Sequence, residues 1–275
     1  MNQLLYRTLF ACITLFSLHS AQAQQASKEQ LVVPLSSPGK PGTVHLKLVG
    51  GGIKVVGYAG KDVVIEASSR NERRETSSTE NSSGMRRISQ VRGLDVTAQE
   101  KSNHVYIKTQ SWQTPVDFTI KVPRQFSLQL ATVQNGDITV DNVAGELEIS
   151  NVNGSIRLND VAGSAVLNTV NGELIADFKE VTAGAPMAFS TINGKVDVTL
   201  PARAKVSVKL KSDHGEIYSD FDLTADSTPT KVTRTAKDGL YRVAQDTWTY
   251  GKINGGGPEF MVKTLNGNIY IRRAK

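Results

Sequence analysis

Carboxylates, histidines and a few aromatic residues carry whatever chemistry this chain offers. Their spacing follows a repeat. Asp137 and Glu173 share one phase of it, and Asp141 and Asp177 share another. With regular stacking, the members of each pair stand two coils apart, about 10 Å. That is near the upper separation of the acid and base of an inverting glycosidase. The residues between them, Ser155 and Asn159, outline no cleft. A flat wet face also does not shift carboxyl pKa values as acid–base catalysis requires. These carboxylates therefore read as a solvated face, and a carbohydrate-active β-helix enzyme is the alternative.

Beyond residue 23 the histidines are His45, His104 and His214. The first two fall at strand edges far apart in sequence, and His214 replaces Asn at a repeat corner. No spacing suggests a metal-ligand set, so neither metal nor cofactor is expected. G-x-S-x-G, H-E-x-x-H and G-x-x-x-x-G-K-[ST] are absent. Gly50-Gly51-Gly52 reads as a turn before a strand at Ile53-Lys54-Val55. The turns lack the regular Asp of calcium-binding β-rolls. Trp112, Trp248 and Tyr250 lie outside the repeats. Exposed aromatics stack on sugar faces, which makes these three the candidates for ligand contact; the competing role is to cap the core at an end of the repeat.

The elements that must position these groups are strands. His45–Val49, Val63–Ala67, His104–Lys108 and Phe118–Val122 alternate apolar and polar residues and are bounded by Gly, Pro, Asn or Ser. Further on, a dipeptide recurs: Asn135-Gly136, Asn153-Gly154, Asn171-Gly172, Asn193-Gly194, His214-Gly215 and Asn266-Gly267. The first three are 18 residues apart and the next intervals are 22 and 21. Two residues after each Gly comes an apolar residue: Ile138, Ile156, Leu174, Val196, Ile217 or Ile269. A half-step places Gly136, Gly145, Gly154, Gly163 and Gly172 nine residues apart.

Asn-Gly is a strong hairpin signal because both turn residues take positive φ. The intervening corners, Ala144-Gly145 and Ala162-Gly163, do not suit that turn, since Ala is strained there. Unlike corners in alternation fit a coil with two sides. The expected fold is all-β: a single-stranded parallel β-helix, or β-solenoid, with coils of about 18–22 residues. An antiparallel β meander or sandwich is the alternative. One such coil cannot fold alone and needs neighbours on both sides. Arg272, Arg273 and Lys275 after the last strand would charge an open edge.

The chain divides into a signal peptide over 1–23 and one solenoid domain over 24–275. Arg7, the apolar run Thr8–Leu18 and Ala21-Gln22-Ala23 form the secretory pattern. The apolar run is too short for a membrane span, so no integral span is expected after cleavage. Cys12, the single cysteine, falls within it, so the mature chain is disulfide-free. Losing Arg7 lowers the net charge from +6 to +5, a mild basicity consistent with plain solubility. Residues 70–92 read as a mobile polar loop with Arg70, Arg73, Arg74, Arg86, Arg87 and Arg92 against Glu72, Glu75 and Glu80. The most regular repeats span 131–275, interrupted at 223–257.

The stretches Phe118–Pro123, Val133–Ile138, Val152-Asn153-Gly154, Val170-Asn171-Gly172 and Lys263–Ile271 together resemble a bacterial putative-adhesin β-strand-repeat family. This is a domain of unknown function akin to the head-GIN adhesins. The resemblance covers most of the chain from about Gly42 to Ile271 and implies a β-solenoid, a bacterial envelope location and adhesion. It supplies no catalytic residues. The functional expectation is a non-enzymatic exported protein, periplasmic or at the cell surface, binding a glycan, a surface or an envelope protein. A periplasmic structural or signalling scaffold is a further alternative. Nucleic acid is not expected as a partner, because basic and aromatic residues do not interleave. The oligomeric state is open.

Overall fold

The computed structural model describes residues 28–69, 94–110, 114–225, 232–237, 240–245 and 248–275. The segments 1–23 and 70–92, and Trp112, lie outside the described residues. The described residues form twenty-two strands and no helix. The first seven are β1 (Lys28–Pro34), β2 (Gly42–Lys47), β3 (Ile53–Tyr58), β4 (Asp62–Ser69), β5 (Val96–Lys101), β6 (His104–Thr109) and β7 (Val116–Pro123). Then follow β8 (Phe126–Thr132), β9 (Ile138–Asp141), β10 (Ala144–Asn151), β11 (Ile156–Asn168), β12 (Leu174–Val181), β13 (Met187–Asn193), β14 (Val196–Leu200), β15 (Val206–His214) and β16 (Ile217–Ser219). The last are β17 (Thr224–Ala225), β18 (Val232–Lys237), β19 (Leu240–Gln245), β20 (Thr249–Ile253), β21 (Glu259–Asn266) and β22 (Ile269–Arg273). All except β18 and β19 belong to one sheet.

Two parallel ladders run through that sheet. One places β3, β9, the start of β11, β12, β14, β22 and β16 side by side. The other places β2, β8, β10, the end of β11, β13, β21 and β15 side by side. A strand of the second ladder and the strand of the first that follows it form one rung, joined at a corner. Register turns the sequence repeat into columns. Ile53, Ile138, Ile156, Leu174, Val196 and Ile269 are consecutive partners and all are buried. In the second ladder Leu46, Leu130, Ile149, Leu167, Phe189, Val262 and Leu210 do the same. Phe178, Phe189 and Phe260 continue the core, Phe189 meeting Phe260 edge-on at 5.1 Å.

Two expectations are corrected. The sheet is mixed rather than purely parallel: β1–β4, β4–β7, β5–β6, β15–β20 and β17–β20 pair antiparallel. These strands cover β6, β7 and β15 of the outer rungs, whose bare edges would otherwise template aggregation. The β5–β6 hairpin turns at Ser102 and Asn103, both at positive φ (52° and 63°), as a primed hairpin turn requires. The tight hairpin thus falls at Ser-Asn and not at an Asn-Gly.

The second correction concerns order. The rung carrying Asn266 lies between those carrying Asn193 and His214, because β21 pairs with both β13 and β15 and β22 with both β14 and β16. At the other end β2 and β3 are likewise enclosed by β6/β7 and β8/β9. Arg272 and Arg273 therefore do not guard an edge. Arg272 grips Asp197 of the neighbouring strand through Nε–Oδ1 at 2.6 Å and Nη2–Oδ2 at 3.1 Å. The Arg273 guanidinium lies 4.8 Å over the Phe221 ring.

The corners explain the dipeptide. Asn171 Nδ2 donates to Asn153 Oδ1 (2.9 Å), Asn193 Nδ2 to Asn171 Oδ1 (2.8 Å) and Asn266 Nδ2 to Asn193 Oδ1 (2.7 Å). His214 Nδ1 ends the row at 3.0 Å from Asn266 Oδ1. At the start, Asn153 Nδ2 donates to the Val133 carbonyl at 3.3 Å, while Asn135 takes a left-handed φ of 52°. A second row runs behind the first. Thr132, Asn151, Thr169, Thr191, Thr264 and Ser212 donate to the carbonyls of Gly51, Gly136, Gly154, Gly172, Gly194 and Gly267, at 2.8–3.0 Å. The corner glycines are packed under one another. A Cβ on Gly172 would lie 2.5 Å from the Gly154 carbonyl carbon and 2.9 Å from Ser155 N.

Candidate functional site

Strand alternation sorts β15 into buried Val206, Val208 and Leu210 and outward Ser207, Lys209 and Lys211. β20 pairs antiparallel with β15 and sets Tyr250 opposite Lys209. β21 lies on the other side and sets Met261 beside Lys209 and Lys263 beside Lys211. Trp248, immediately before β20, folds over this row. Its ring centre is 4.7 Å from Lys209 Nζ and 5.8 Å from Lys211 Nζ. Trp248 therefore packs on the outer side of β15 through cation–π contact rather than over the apolar core. Two of the three aromatic candidates, Trp248 and Tyr250, are brought together here.

The patch is cationic. Lys211 and Lys263 are cross-strand neighbours, a like-charge arrangement that costs energy by itself. Asp213 lies 3.4 Å from Lys211 Nζ and offsets part of that charge. The aromatic face and lysine ammonium groups together suit a ligand with a flat apolar side and negative charge.

At the other end of the same ladder, β2 lies between β6 and β8. This brings His45 and His104 together, contrary to their distance in sequence. His45 stacks on Tyr106 at 4.4 Å with planes 8° apart. Its Nδ1 is 2.8 Å from Gln129 Oε1 and its Nε2 is 3.4 Å from His104 Nδ1. Burial lowers the His45 pKa, and the nearby charges of His104 and Lys47 lower it further against the opposing Gln129 bond. These effects favour the neutral imidazole.

The four carboxylates flagged from sequence do not converge. Asp137 accepts from Arg157 Nη1 and from the Ser155 backbone N–H, both at 2.8 Å. Asp141 accepts from Asn159 Nδ2 at 2.7 Å, with Lys54 Nζ at 3.8 Å. Desolvation raises the Asp177 pKa, the Asp160 carboxylate adds to the rise, and Lys179 opposes it. Two grooves of about 260 Å³ open on the described surface. One is lined by residues including Glu180, Arg203 and Lys205, the other by residues including Leu31, Ile65 and Leu94, and neither includes these four carboxylates.

Sequence reasoning missed the His45–His104 contact, which depends on β2 pairing with β6 across the intervening β3, β4 and β5. It also missed the inner hydroxyl row, although the signal was available. A Thr, Asn or Ser stands two residues before Asn153, Asn171, Asn193, His214 and Asn266.

Residues 127–246 match the family model described as Toastrack DUF4097. Over these residues the match bears out the resemblance to a β-strand-repeat family of unknown function with an all-β, solenoid-like fold. Among solved structures, the chain is similar to a putative cell adhesion protein from Clostridium sporogenes ATCC 15579. The two are 11% identical with a TM-score of 0.44, over 91% of this chain and 100% of that one. It is also similar to a putative adhesin from Bacteroides fragilis NCTC 9343, 13% identical with a TM-score of 0.35, over 91% of this chain and 98% of that one. No curated protein matches the chain.

Proposed function

We propose that the protein is an exported, non-catalytic β-solenoid that binds anionic glycan at the bacterial envelope. One observation carries this reading: Trp248 lies over Lys209 and Lys211, with Tyr250 and Lys263 beside them, on the outward side of a rigid ladder. The indole face offers a stacking platform for a pyranose ring, and the ammonium groups pair with uronate, phosphate or sulfate. The rigid sheet holds these groups in place before binding, which limits the entropic cost of capture. Export is supported by the leader pattern over 1–23. Among the described residues no helix is long and apolar enough to cross a membrane. We read 24–275 as one domain, its two ladders as the two sides of a coil, and the antiparallel strands as its caps.

The test is binding of the purified protein to lipopolysaccharide and to polygalacturonate across a salt series. The expected result is saturable binding that weakens as salt rises and falls at least tenfold in Trp248→Ala and in Lys209→Ala/Lys211→Ala. Undiminished binding by both variants would remove this patch as the site. Absence of binding to glycans and to envelope fractions alike would remove the function.

A further inference from the structure

We propose that His45 and His104 form a two-histidine site for a tetrahedral divalent transition-metal ion of the zinc type. The site is independent of the Trp248 patch and lies at the opposite end of the ladder.

The argument begins with the nitrogen pair. His45 Nε2 and His104 Nδ1 face each other at 3.4 Å. That is long for a hydrogen bond. It matches the bite of a metal: two bonds of about 2.05 Å spanning this gap meet at about 110°, the tetrahedral angle. A square-planar ion would need the nitrogens closer, so the geometry selects zinc or cobalt over copper on shape.

The surroundings prepare one ligand. The 2.8 Å contact between His45 Nδ1 and Gln129 Oε1 places the ring proton on Nδ1 and leaves the Nε2 lone pair directed at the gap. Metal-bound histidines are commonly oriented by this kind of bond from the second nitrogen to an oxygen. The Tyr106 ring, stacked at 4.4 Å and 8° from parallel with the His45 ring, fixes the imidazole plane. β2 is paired on both sides, so the backbone beneath His45 is rigid. When the ion enters, His104 takes the tautomer with its proton on Nε2, so that His45 Nε2 and His104 Nδ1 both bind through lone pairs. Among the described residues no cluster of three or more His, Cys, Asp or Glu is grouped for metal binding. In the proposed site water or a donor from a bound molecule completes the coordination. The Lys47 ammonium on β2 opposes a cation and moderates the affinity.

The experiment is a titration of the purified protein, free of any histidine tag, with Zn²⁺ by calorimetry and with Co²⁺ by visible absorption. One ion per chain should bind, and Co²⁺ should show the intense visible bands of a tetrahedral site. His45→Ala and His104→Ala should each weaken binding at least tenfold, and Gln129→Leu should weaken it by about tenfold. His214→Ala should leave it unchanged. As a measurement that needs no variant, Zn²⁺ should protect His45 and His104, but not His214, from acylation by diethylpyrocarbonate in the wild-type protein. Binding that survives loss of either histidine, or acylation of both rings unaffected by Zn²⁺, would overturn the proposal.

Discussion

Replacing Gly172 by alanine tests the corner stack directly. Gly172 is not at positive φ, so alanine meets no conformational penalty there. Space is the obstacle: the new Cβ would stand 2.5 Å from the Gly154 carbonyl carbon and 2.9 Å from Ser155 N, with the carbonyl oxygen closer still. All three are backbone atoms and cannot rotate away. Relieving the overlap requires the two rungs to part by roughly 1 Å from their spacing of about 4.8 Å. Three of the bonds that hold the rungs together here lie against the overlap: Gly154 N to Asn171 O (3.0 Å), Asn171 N to Val152 O (2.8 Å) and Thr169 Oγ1 to Gly154 O (2.9 Å). At about 1–1.5 kcal/mol each, their loss amounts to about 3–5 kcal/mol. Gly184→Ala is the matched control, since Gly184 has positive φ (82°) and nothing within 4 Å of its added Cβ. It should cost only the left-handed strain, about 1–2 kcal/mol. Urea unfolding followed by far-ultraviolet circular dichroism gives both values from the midpoints at a shared slope. If Gly172→Ala costs no more than Gly184→Ala, the stacking argument fails.

The inner hydroxyl row makes two opposite predictions for the same unfolding assay. Thr191→Val keeps the buried shape and deletes the 3.0 Å bond to the Gly172 carbonyl, so it should destabilise by about 1–2 kcal/mol. Asn151→Thr should stabilise by about 1 kcal/mol, because Asn151 Oδ1 is buried without a hydrogen-bond partner and threonine at this position keeps the donor alone. Glu100 predicts an acid response: it accepts from Ser36 Oγ at 2.8 Å, Asn103 N at 2.7 Å and Ser36 N at 3.1 Å, and these bonds lower its folded pKa. A lowered carboxyl pKa stabilises the fold above the unfolded value and loses that contribution as pH falls through the folded one. Melting temperature measured downward from pH 5 should therefore fall more steeply in the wild type than in Glu100→Gln; identical profiles would dismiss the role.

Much of the scaffold was legible because burial imposes period 2 on each strand and register repeats that pattern from rung to rung. Ile138, Ile156, Leu174 and Val196 stood out as one column for this reason, and they are one. The Asn-Gly corners stood out as well, but the usual account of the dipeptide, positive φ in a hairpin, applies instead to Ser102 and Asn103. At the corners glycine is required because another backbone lies against its Cα, and at Gly154, Gly194 and Gly267 also because φ is positive (152–156°).

By itself, then, the sequence determined the strand type, the inward faces and the corner positions, since these are local consequences of alternation and of residue size. The tertiary structure alone decided which rungs are neighbours. A parallel ladder accepts any rung with the matching apolar phase, and the phase is the same whether the next rung comes from residues 206–219 or 259–273. The chain places the second of these inside the first and sets antiparallel strands against β15 at one end and against β6 and β7 at the other. That choice puts Lys263 beside Lys211 under Trp248, and His45 beside His104, so the two surfaces with ligand chemistry exist only once the fold is complete.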